Sequence, residues 1–206
     1  MVSRKGRILS FDAKSLARLR SGGRQAAVLE EGDTIATACV CPAESPLVIV
    51  SALGLGHCIK HDNLPIKKDL GAKMVAGMQL ADGDSVVGCL PITEKDILML
   101  SQDGYVMRLR GGAETLTAHG RTGKGVKLMK LHTGANVCAV CTLTTQHVLI
   151  SSRAGRSICF VAEQIKSYSN AAMGVSGMKL RPGDKCMHIM CLQPEHEELV
   201  HPVWQE

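Results

Sequence analysis

The chain has 206 residues, a formal net charge of +5, 45% hydrophobic residues and only 2% aromatic residues. This hydrophobic content excludes a disordered chain and predicts a core built from Val, Ile, Leu, Met and Cys. The modest positive charge permits an anionic partner such as nucleic acid without requiring one, and no apolar run approaches the roughly 20 residues of a membrane span.

One sequence pattern is repeated four times along the chain. Each copy has an apolar strand, a Gly turn, a second strand, a variable stretch, a third strand, a turn that usually reads Gly-Asp, and a last strand. The Gly turns centre on Gly6, Gly54, Gly104 and Gly155, at intervals of 48, 50 and 51 residues. Short strands at a period near 50 residues predict an all-β, propeller-like array of four small sheets, whose repeats must stack to bury their apolar faces.

The strands can be taken in chain order. First strands are predicted at 47–51, 97–101 and 148–152, whereas only residues 1–3 precede the first Gly turn. The first blade is therefore predicted to be incomplete, and the chain is expected to be either a fragment of a longer protein or the product of a gene that lost its front. The second strands are predicted at 7–11, 56–60, 105–110 and 156–161, and the variable stretches at 12–23, 62–71, 111–120 and 162–172. The third strands are predicted at 26–29, 75–80, 126–131 and 175–180, and the last strands at 34–40, 85–90, 136–143 and 185–192.

These strands predict one domain over residues 1–192, with blades at 1–46, 47–96, 97–147 and 148–192. Helix is expected only as a turn or two at 12–20 and 162–165. The tail, 193–206, breaks the pattern and is acidic apart from its two His residues; its Trp204 either caps the last blade or stays free.

Nine cysteines lie mostly within apolar runs, so we predict reduced thiols of an intracellular protein rather than a disulfide framework. Cys138 and Cys141 have the spacing of a zinc or redox motif. Residues three apart on a strand face opposite ways, however, and no second pair lies nearby in the sequence. The predictions are therefore core packing for these cysteines, no metal site and no cofactor.

Three segments of the chain resemble the repeating unit of one family: 101–108, 120–131 and 175–184. The family is the C-terminal domain of the A subunit of bacterial type IIA topoisomerases, DNA gyrase and topoisomerase IV, and the resemblance covers residues 1–192. It implies a β-pinwheel, in which neighbouring blades exchange strands and duplex DNA bends around a basic rim. The partners that it implies are double-stranded DNA, the A-subunit core and the B subunit. It further implies no membrane and a cytoplasmic, nucleoid-associated location.

Two departures from the family pattern limit what the resemblance implies. Family members usually have five or six blades, whereas this chain has four. The gyrase version also carries a heptapeptide box (Gln, basic, Arg, Gly, Gly, basic, Gly), and neither 19–25 nor 119–125 is an intact copy. Both segments are interpreted as blade loops, which leaves either bending as in topoisomerase IV or wrapping by a missing blade. A gyrase parent and a topoisomerase IV parent both remain open.

The predicted DNA contacts are Lys and Arg residues beside the Gly turns and in the variable stretches, because cations that neutralise phosphates bind DNA with little sequence preference. They are Arg4, Lys5, Arg7, Arg18, Arg20, Arg24, Lys60, Lys67, Lys68, Lys73, Arg108, Arg110, Arg121, Lys124, Lys127, Arg153 and Arg156.

No catalytic residue is predicted. The topoisomerase reaction needs a Tyr nucleophile, and Tyr105 stands at a position that other repeats fill with Arg or Leu. The chain is thus predicted to bind and bend DNA non-specifically, while the ATP-hydrolysing parent topoisomerase supplies the cleavage core. The alternative is a β-propeller that binds a protein through one face, with its functional residues on that face rather than on the rim. A third possibility is a decayed relic without activity.

Overall fold

The computed structural model describes residues 1–16 and 22–192, and within them it is almost entirely β. The predicted tail and Trp204 lie outside this part of the chain. The first repeat forms β1 (Val2–Ser3), β2 (Arg7–Ile8), β3 (Ser10–Phe11), β4 (Ala27–Val28) and β5 (Ile35–Thr37), and the second forms β6 (Leu47–Ser51), β7 (Leu55–Ile59), β8 (Ile66–Lys67), β9 (Ala72–Lys73), β10 (Val75–Ala76) and β11 (Val86–Pro91).

The second half of the chain repeats this order. The third repeat forms β12 (Ile97–Ser101), β13 (Tyr105–Leu109), β14 (Val126–Lys127) and β15 (Val137–Thr142), and the fourth forms β16 (His147–Ser152), β17 (Ser157–Val161), β18 (Ser167–Tyr168), β19 (Val175–Ser176) and β20 (Cys186–Cys191). One helical turn, α1 (Gly112–Thr115), was not expected from the sequence, while short 3-10 turns at Ala13–Leu16 and Ala162–Gln164 lie where a turn was predicted; a third lies at His61–Asn63.

Each repeat builds one antiparallel sheet in which the first strand lies between the last and second strands of the same repeat. The orders are β5-β1-β2, β11-β6-β7, β15-β12-β13 and β20-β16-β17. The central strands β6 and β12 are buried along their whole length, which explains why they are unbroken apolar runs rather than alternating ones. The all-β prediction is confirmed. In the first repeat the first strand, β1, has only two residues.

Neighbouring repeats exchange a strand. β10 of the second repeat pairs antiparallel with β2 of the first, with Val75 opposite Ile8. β14 of the third repeat lies beside β7, and β19 of the fourth pairs with β13, with Val106 opposite Val175. This is the exchange expected of a β-pinwheel.

The Gly turn is where the exchanged strand docks. The carbonyl of Gly104 accepts the N–H groups of Gly177 and Met178 at 2.9 and 3.1 Å. Gly104 has φ +91°, and a Cβ added there would lie 2.3 Å from the Met178 carbonyl oxygen. Gly6 and Gly54 receive the strands of the next repeats in the same way. Only glycine fits a left-handed turn that another backbone approaches so closely, which explains the period that the sequence displays.

The fourth repeat differs from the other three at this turn. Gly155 is exposed, whereas Gly6, Gly54 and Gly104 are buried. A Cβ on Gly155 would meet nothing within 4 Å. Among the described residues, the sheet of the fourth repeat has only the three strands β17, β16 and β20.

The chain separates into two compact units, each with its own core. Unit 1 is Met1–Ser51, Gly56–Pro91 and Ala118–Val126. One of its clusters joins Leu9, Ala27 and Met74. Unit 2 is Ala52–Leu55, Ile92–Thr117 and the chain from Lys127 onward, and one of its clusters gathers buried residues of the third and fourth repeats, among them Leu98, Val106, Ile150 and Ile189. The predicted single domain and its blade boundaries stay predictions.

Candidate nucleic-acid interface

Exposure divides the predicted DNA-binding residues into two classes. Arg18 and Arg20 lie outside the described residues. Of the others, Arg7 and Arg108 are partly buried. The remaining thirteen are exposed: Arg4, Lys5, Arg24, Lys60, Lys67, Lys68, Lys73, Arg110, Arg121, Lys124, Lys127, Arg153 and Arg156.

The two partly buried arginines are the ones that form ion pairs. Arg7 lies 2.7 Å from Glu30, and Arg108 lies 2.5 Å from Asp96. Arg108 also donates to the Ala162 carbonyl at 3.1 Å. Because a neighbouring carboxylate offsets the charge of each side chain, these two arginines attract a phosphate less strongly than an unpaired cation does. Their DNA-binding role stays a prediction.

A first group of exposed cations, which we name the turn cations, surrounds the Gly turns: Arg4, Lys5, Lys127, Arg153 and Arg156. Arg4 and Lys5 flank Gly6, and Arg153 and Arg156 flank Gly155. Two side chains of this group hold backbone at the turns: Lys5 Nζ donates to the Glu31 carbonyl, and Lys127 Nζ donates to the Leu53 carbonyl, each at 2.9 Å. These ammonium groups already have a hydrogen-bond partner, although both remain exposed.

A second group, which we name the loop cations, lies in unit 1 at or near the variable stretches. All six are exposed, and within the described part of the chain none lies in an ion pair: Lys60, Lys67, Lys68, Lys73, Arg121 and Lys124.

Short parallel pairings set the variable stretches of successive repeats side by side. β3 pairs with β8, which places Lys67 opposite Phe11. β4 pairs with β9, which places Lys73 opposite Val28. The Lys60 N–H donates to the His119 carbonyl at 2.9 Å, two residues before Arg121. Loops that are separate in sequence therefore present their cations along neighbouring stretches of backbone.

Lys60 and the Gly turn of its repeat do not lie at the same end of a blade. In the second repeat, the Gly54 turn begins β7 and Lys60 follows its last residue. Five strand residues span roughly 17 Å. The Gly54 turn and Lys60 thus lie at opposite ends of this hairpin, a difference that repeat position alone did not distinguish.

Arg110 and Arg24 are two further exposed cations of the predicted set. Arg110 follows β13 in unit 2 as Lys60 follows β7, and its N–H donates to the Tyr168 carbonyl at 2.8 Å. Arg24 precedes β4 and is exposed. Lys14 is an exposed cation of a variable stretch that the prediction omits. The position of Lys14 within the variable stretch 12–23 could have identified it from the sequence.

The glycines of 119–125 have a packing explanation. A Cβ on Gly123 would lie 2.3 Å from the His57 ring, and a Cβ on Gly125 would lie 2.6 Å from the Gly56 carbonyl oxygen. His57 Nε2 also lies 2.9 Å from the Gly120 carbonyl oxygen and 3.2 Å from the Gly123 backbone nitrogen. These contacts support the interpretation of this segment as a blade loop, while Arg121 and Lys124 remain exposed beside it.

Other kinds of site find little support in the described residues. No three His, Cys, Asp or Glu side chains there are grouped closely enough to hold a metal ion. Tyr105 lies in β13 against the ring of His132, with ring centroids 4.5 Å apart, and Tyr168 lies in β18. Nor does any helix in these ranges have the length and apolar character needed to cross a bilayer.

Comparison with known proteins adds a family and several relatives. The family described as "DNA gyrase C-terminal domain, beta-propeller" matches residues 1–42, 71–93, 95–138 and 146–193. A curated relative, the DNA gyrase A protein of Aminobacterium colombiense, is 28% identical over 187 residues, which are 89% of this chain and 22% of the relative. The chain thus spans about a fifth of the length of that relative.

Two solved structures share the fold. One is a structure of the DNA gyrase A C-terminal domain, with a TM-score of 0.80 and 19% identity over 91% of this chain and 63% of that one. The other is a crystal structure of the C-terminal domain of DNA topoisomerase IV, with a TM-score of 0.77 and 16% identity over 92% of this chain and 59% of that one. At these identities the likeness establishes the fold alone, and it confirms the β-pinwheel prediction.

Proposed function

The chain belongs to the family of DNA gyrase C-terminal domains, and from this premise we propose that it binds duplex DNA without sequence preference and bends it. The observation that carries the proposal is the set of loop cations in unit 1: six exposed Lys and Arg side chains that lie in no ion pair with a carboxylate of the described residues. Such side chains neutralise phosphates and release counterions, which favours binding to any duplex.

Bending follows from distributing those contacts over neighbouring loops. A duplex that contacts one loop and curves toward the next gains further phosphate contacts, and these contacts offset the elastic cost of the curve. Three of the loop cations, Lys67, Lys68 and Lys73, belong to one variable stretch and the strand that follows it. We assign the main phosphate contacts to this part of the surface, with the turn cations as secondary contacts.

In the longer protein we propose an accessory role. The domain presents a bent DNA segment to the cleavage core of the A protein of a type IIA topoisomerase, which works together with the B protein in the cytoplasm at the nucleoid. The chemistry belongs to that core, since both tyrosines of this chain lie in blade strands.

Salt-dependent DNA binding tests the proposal. The purified chain is titrated into a random duplex of about 40 base pairs, labelled at both ends, over a series of salt concentrations. We expect tight binding at low salt, a linear fall of log K with log salt, and increased energy transfer between the duplex ends. Absence of binding by folded protein at low salt would contradict the proposal and favour a protein-binding propeller.

Two charge-matched variants test the assignment of the surface. The triple substitution Lys67→Gln, Lys68→Gln, Lys73→Gln removes three loop cations. The control Lys130→Gln, Lys179→Gln, Lys185→Gln removes three exposed lysines outside the predicted set. The loop variant is expected to bind more weakly, with a salt slope smaller by about one for each lost phosphate contact. Equal losses in the two variants would show that net charge, rather than this surface, governs binding.

A further inference from the structure

Two cysteines of successive repeats lie in contact in unit 1. The thiol of Cys89 donates a hydrogen bond to the sulfur of Cys39, with the two sulfur atoms 3.4 Å apart. Cys89 lies in β11, the last strand of the second repeat, and Cys39 follows β5, the last strand of the first. Their separation of 50 residues equals the repeat period. The stacking of the two repeats thus brings a residue just beyond the last strand of the first into contact with the last strand of the second.

The two thiols differ in accessibility. Cys89 is 3% exposed, whereas Cys39 is only partly buried. A small oxidant in solution therefore reaches Cys39 first. Cys39 also lies beyond the end of β5 at Thr37, so its backbone can adjust without breaking the hydrogen bonds between strands.

Their acidities differ in the same direction. The hydrogen bond from Cys89 lowers the pKa of Cys39 to about 7, although burial acts against this shift. The same hydrogen bond, together with burial, raises the pKa of Cys89. Since the thiolate is the reactive form, the more accessible sulfur is also the more nucleophilic one near neutral pH.

We propose that Cys39 and Cys89 form an oxidation site, at which hydrogen peroxide converts the two thiols into a disulfide that joins the segment after β5 of the first repeat to β11 of the second. Nothing in the proposed DNA binding requires this site. The pair combines features of redox-sensing cysteines: an accessible sulfur and a second thiol already in contact with it.

The reaction balances in two steps. The Cys39 thiolate attacks one oxygen of hydrogen peroxide, the O–O bond breaks, and the departing hydroxide takes a proton to give water and a sulfenic acid on Cys39. The sulfur of Cys89 then attacks the Cys39 sulfur, and the S–O bond breaks. The thiol proton and the leaving hydroxide form a second water. The peroxide is reduced by two electrons, which come from the two sulfurs.

The third and fourth repeats contain a related pair. Cys141 of β15 and Cys191 of β20 lie in the last strands of their repeats, and a hydrogen bond between them, with burial, raises the pKa of Cys141. The Cys191 sulfur lies 3.5 Å from the Thr142 carbonyl, to which its thiol donates. Cys191 is buried, so this pair lacks the accessible sulfur of the first and is expected to react more slowly.

Cys41 supplies a matched control two residues from Cys39. It is also partly buried, its thiol donates to the Ser45 carbonyl at 3.4 Å, and burial raises its pKa. Cys39→Ser removes the accessible sulfur of the pair, whereas Cys41→Ser leaves the pair intact.

The test treats the full chain with a small molar excess of hydrogen peroxide at neutral pH and maps the products by mass spectrometry without reduction. We expect a peptide cross-link between Cys39 and Cys89, reversed by dithiothreitol, and a rise in the unfolding temperature of about 5 °C. Cys41→Ser is expected to behave as the unsubstituted chain, and Cys39→Ser to form no such link and show no such rise. Oxidation of Cys39 to a sulfinic acid without the link, a preferred link elsewhere, or no reaction would each overturn the proposal.

Discussion

At the scale of single residues, the Gly-Asp turn of a repeat, which we name its closing turn, holds the Gly turn of the same repeat through a carboxylate. Asp33 accepts the N–H groups of Lys5 and Thr34 at 3.1 and 2.8 Å. Asp184 accepts those of Ala154 and Lys185 at 3.0 and 2.8 Å. The Asp of the Gly-Asp turn is therefore more than a turn former, because it satisfies backbone donors of the other turn in its repeat.

The third repeat has Ala135 where the other repeats have this Asp. Its Gly turn contains Asp103 instead, which accepts from the Ser101 hydroxyl and lies 2.6 Å from Nδ1 of His132. The sequence reveals the missing carboxylate. It does not reveal the replacement, because the contact between Asp103 and His132 depends on how two turns of one blade meet in space.

Acid is expected to weaken the closing turns. Burial acts to raise the pKa of Asp33, but the Ser3 hydroxyl and the N–H groups of Lys5 and Thr34 outweigh it, so the pKa lies below its ordinary value of 3.8. A lowered carboxylate pKa contributes stability that is complete above the ordinary value and is lost as the pH falls through the folded-state pKa. The free energy of unfolding is therefore expected to decline as the pH drops below about 4.

Asp33→Asn separates this contribution from general acid effects. We expect the substitution to cost about 1–2 kcal/mol at pH 7 and much less at acid pH, where the native carboxylate is itself protonated. Urea denaturation at both pH values measures the difference, with Asp82→Asn as a control at an exposed position of another closing turn. An equal cost at both pH values would exclude a role for the charge.

At the scale of elements, the exchanged strand depends on the Gly turn that receives it. Gly104→Ala places a methyl group against the Met178 carbonyl oxygen in a left-handed conformation, and we expect it to cost about 3 kcal/mol or more. Gly155 has a similar φ of +77° but open space around its Cβ position. Gly155→Ala is therefore expected to cost only the conformational term, about 1–2 kcal/mol.

Chemical denaturation of the two variants measures this contrast. The difference between them reports the close approach of the exchanged strand, since the conformational penalty is shared. Similar losses in both would mean that the contact at Gly104 relaxes at little cost.

Long apolar strands and Gly turns were predictable, because five-residue apolar runs and a 50-residue period are strong signals. The pairs β3–β8 and β4–β9 were not, since two-residue strands have no detectable periodicity. Without those pairings, the turn cations and the loop cations could not be told apart and were predicted as one set. The contact between Cys39 and Cys89 had a signal in their 50-residue spacing, but core packing explained each cysteine equally well.

At the scale of the whole molecule, the four sheets differ in how many of their edges are paired. β13 lies between β12 on one side and β18 and β19 on the other. β17 pairs with β16, and no described strand lies along its other edge. Ile158 in β17 is 37% exposed.

Amide hydrogen exchange should reflect this difference. Amides of β13 are expected to be protected along both edges, whereas those of β17 that point away from β16 should exchange rapidly. Mass spectrometry of peptides covering 105–109 and 157–161 makes the comparison within one sample. Equal protection of the two strands would indicate that a segment beyond the described residues covers β17.

The exchange of strands has a consequence for how such a chain can change its length over evolutionary time. Every 50-residue period supplies one turn that can receive a strand and one strand that can be received, although the two partners belong to different blades. A duplication of one period, wherever it starts within the repeat, adds one of each and leaves no unmatched group inside the array. Loss of one period likewise removes one of each, so blade number can drift by whole units while every remaining internal junction is preserved.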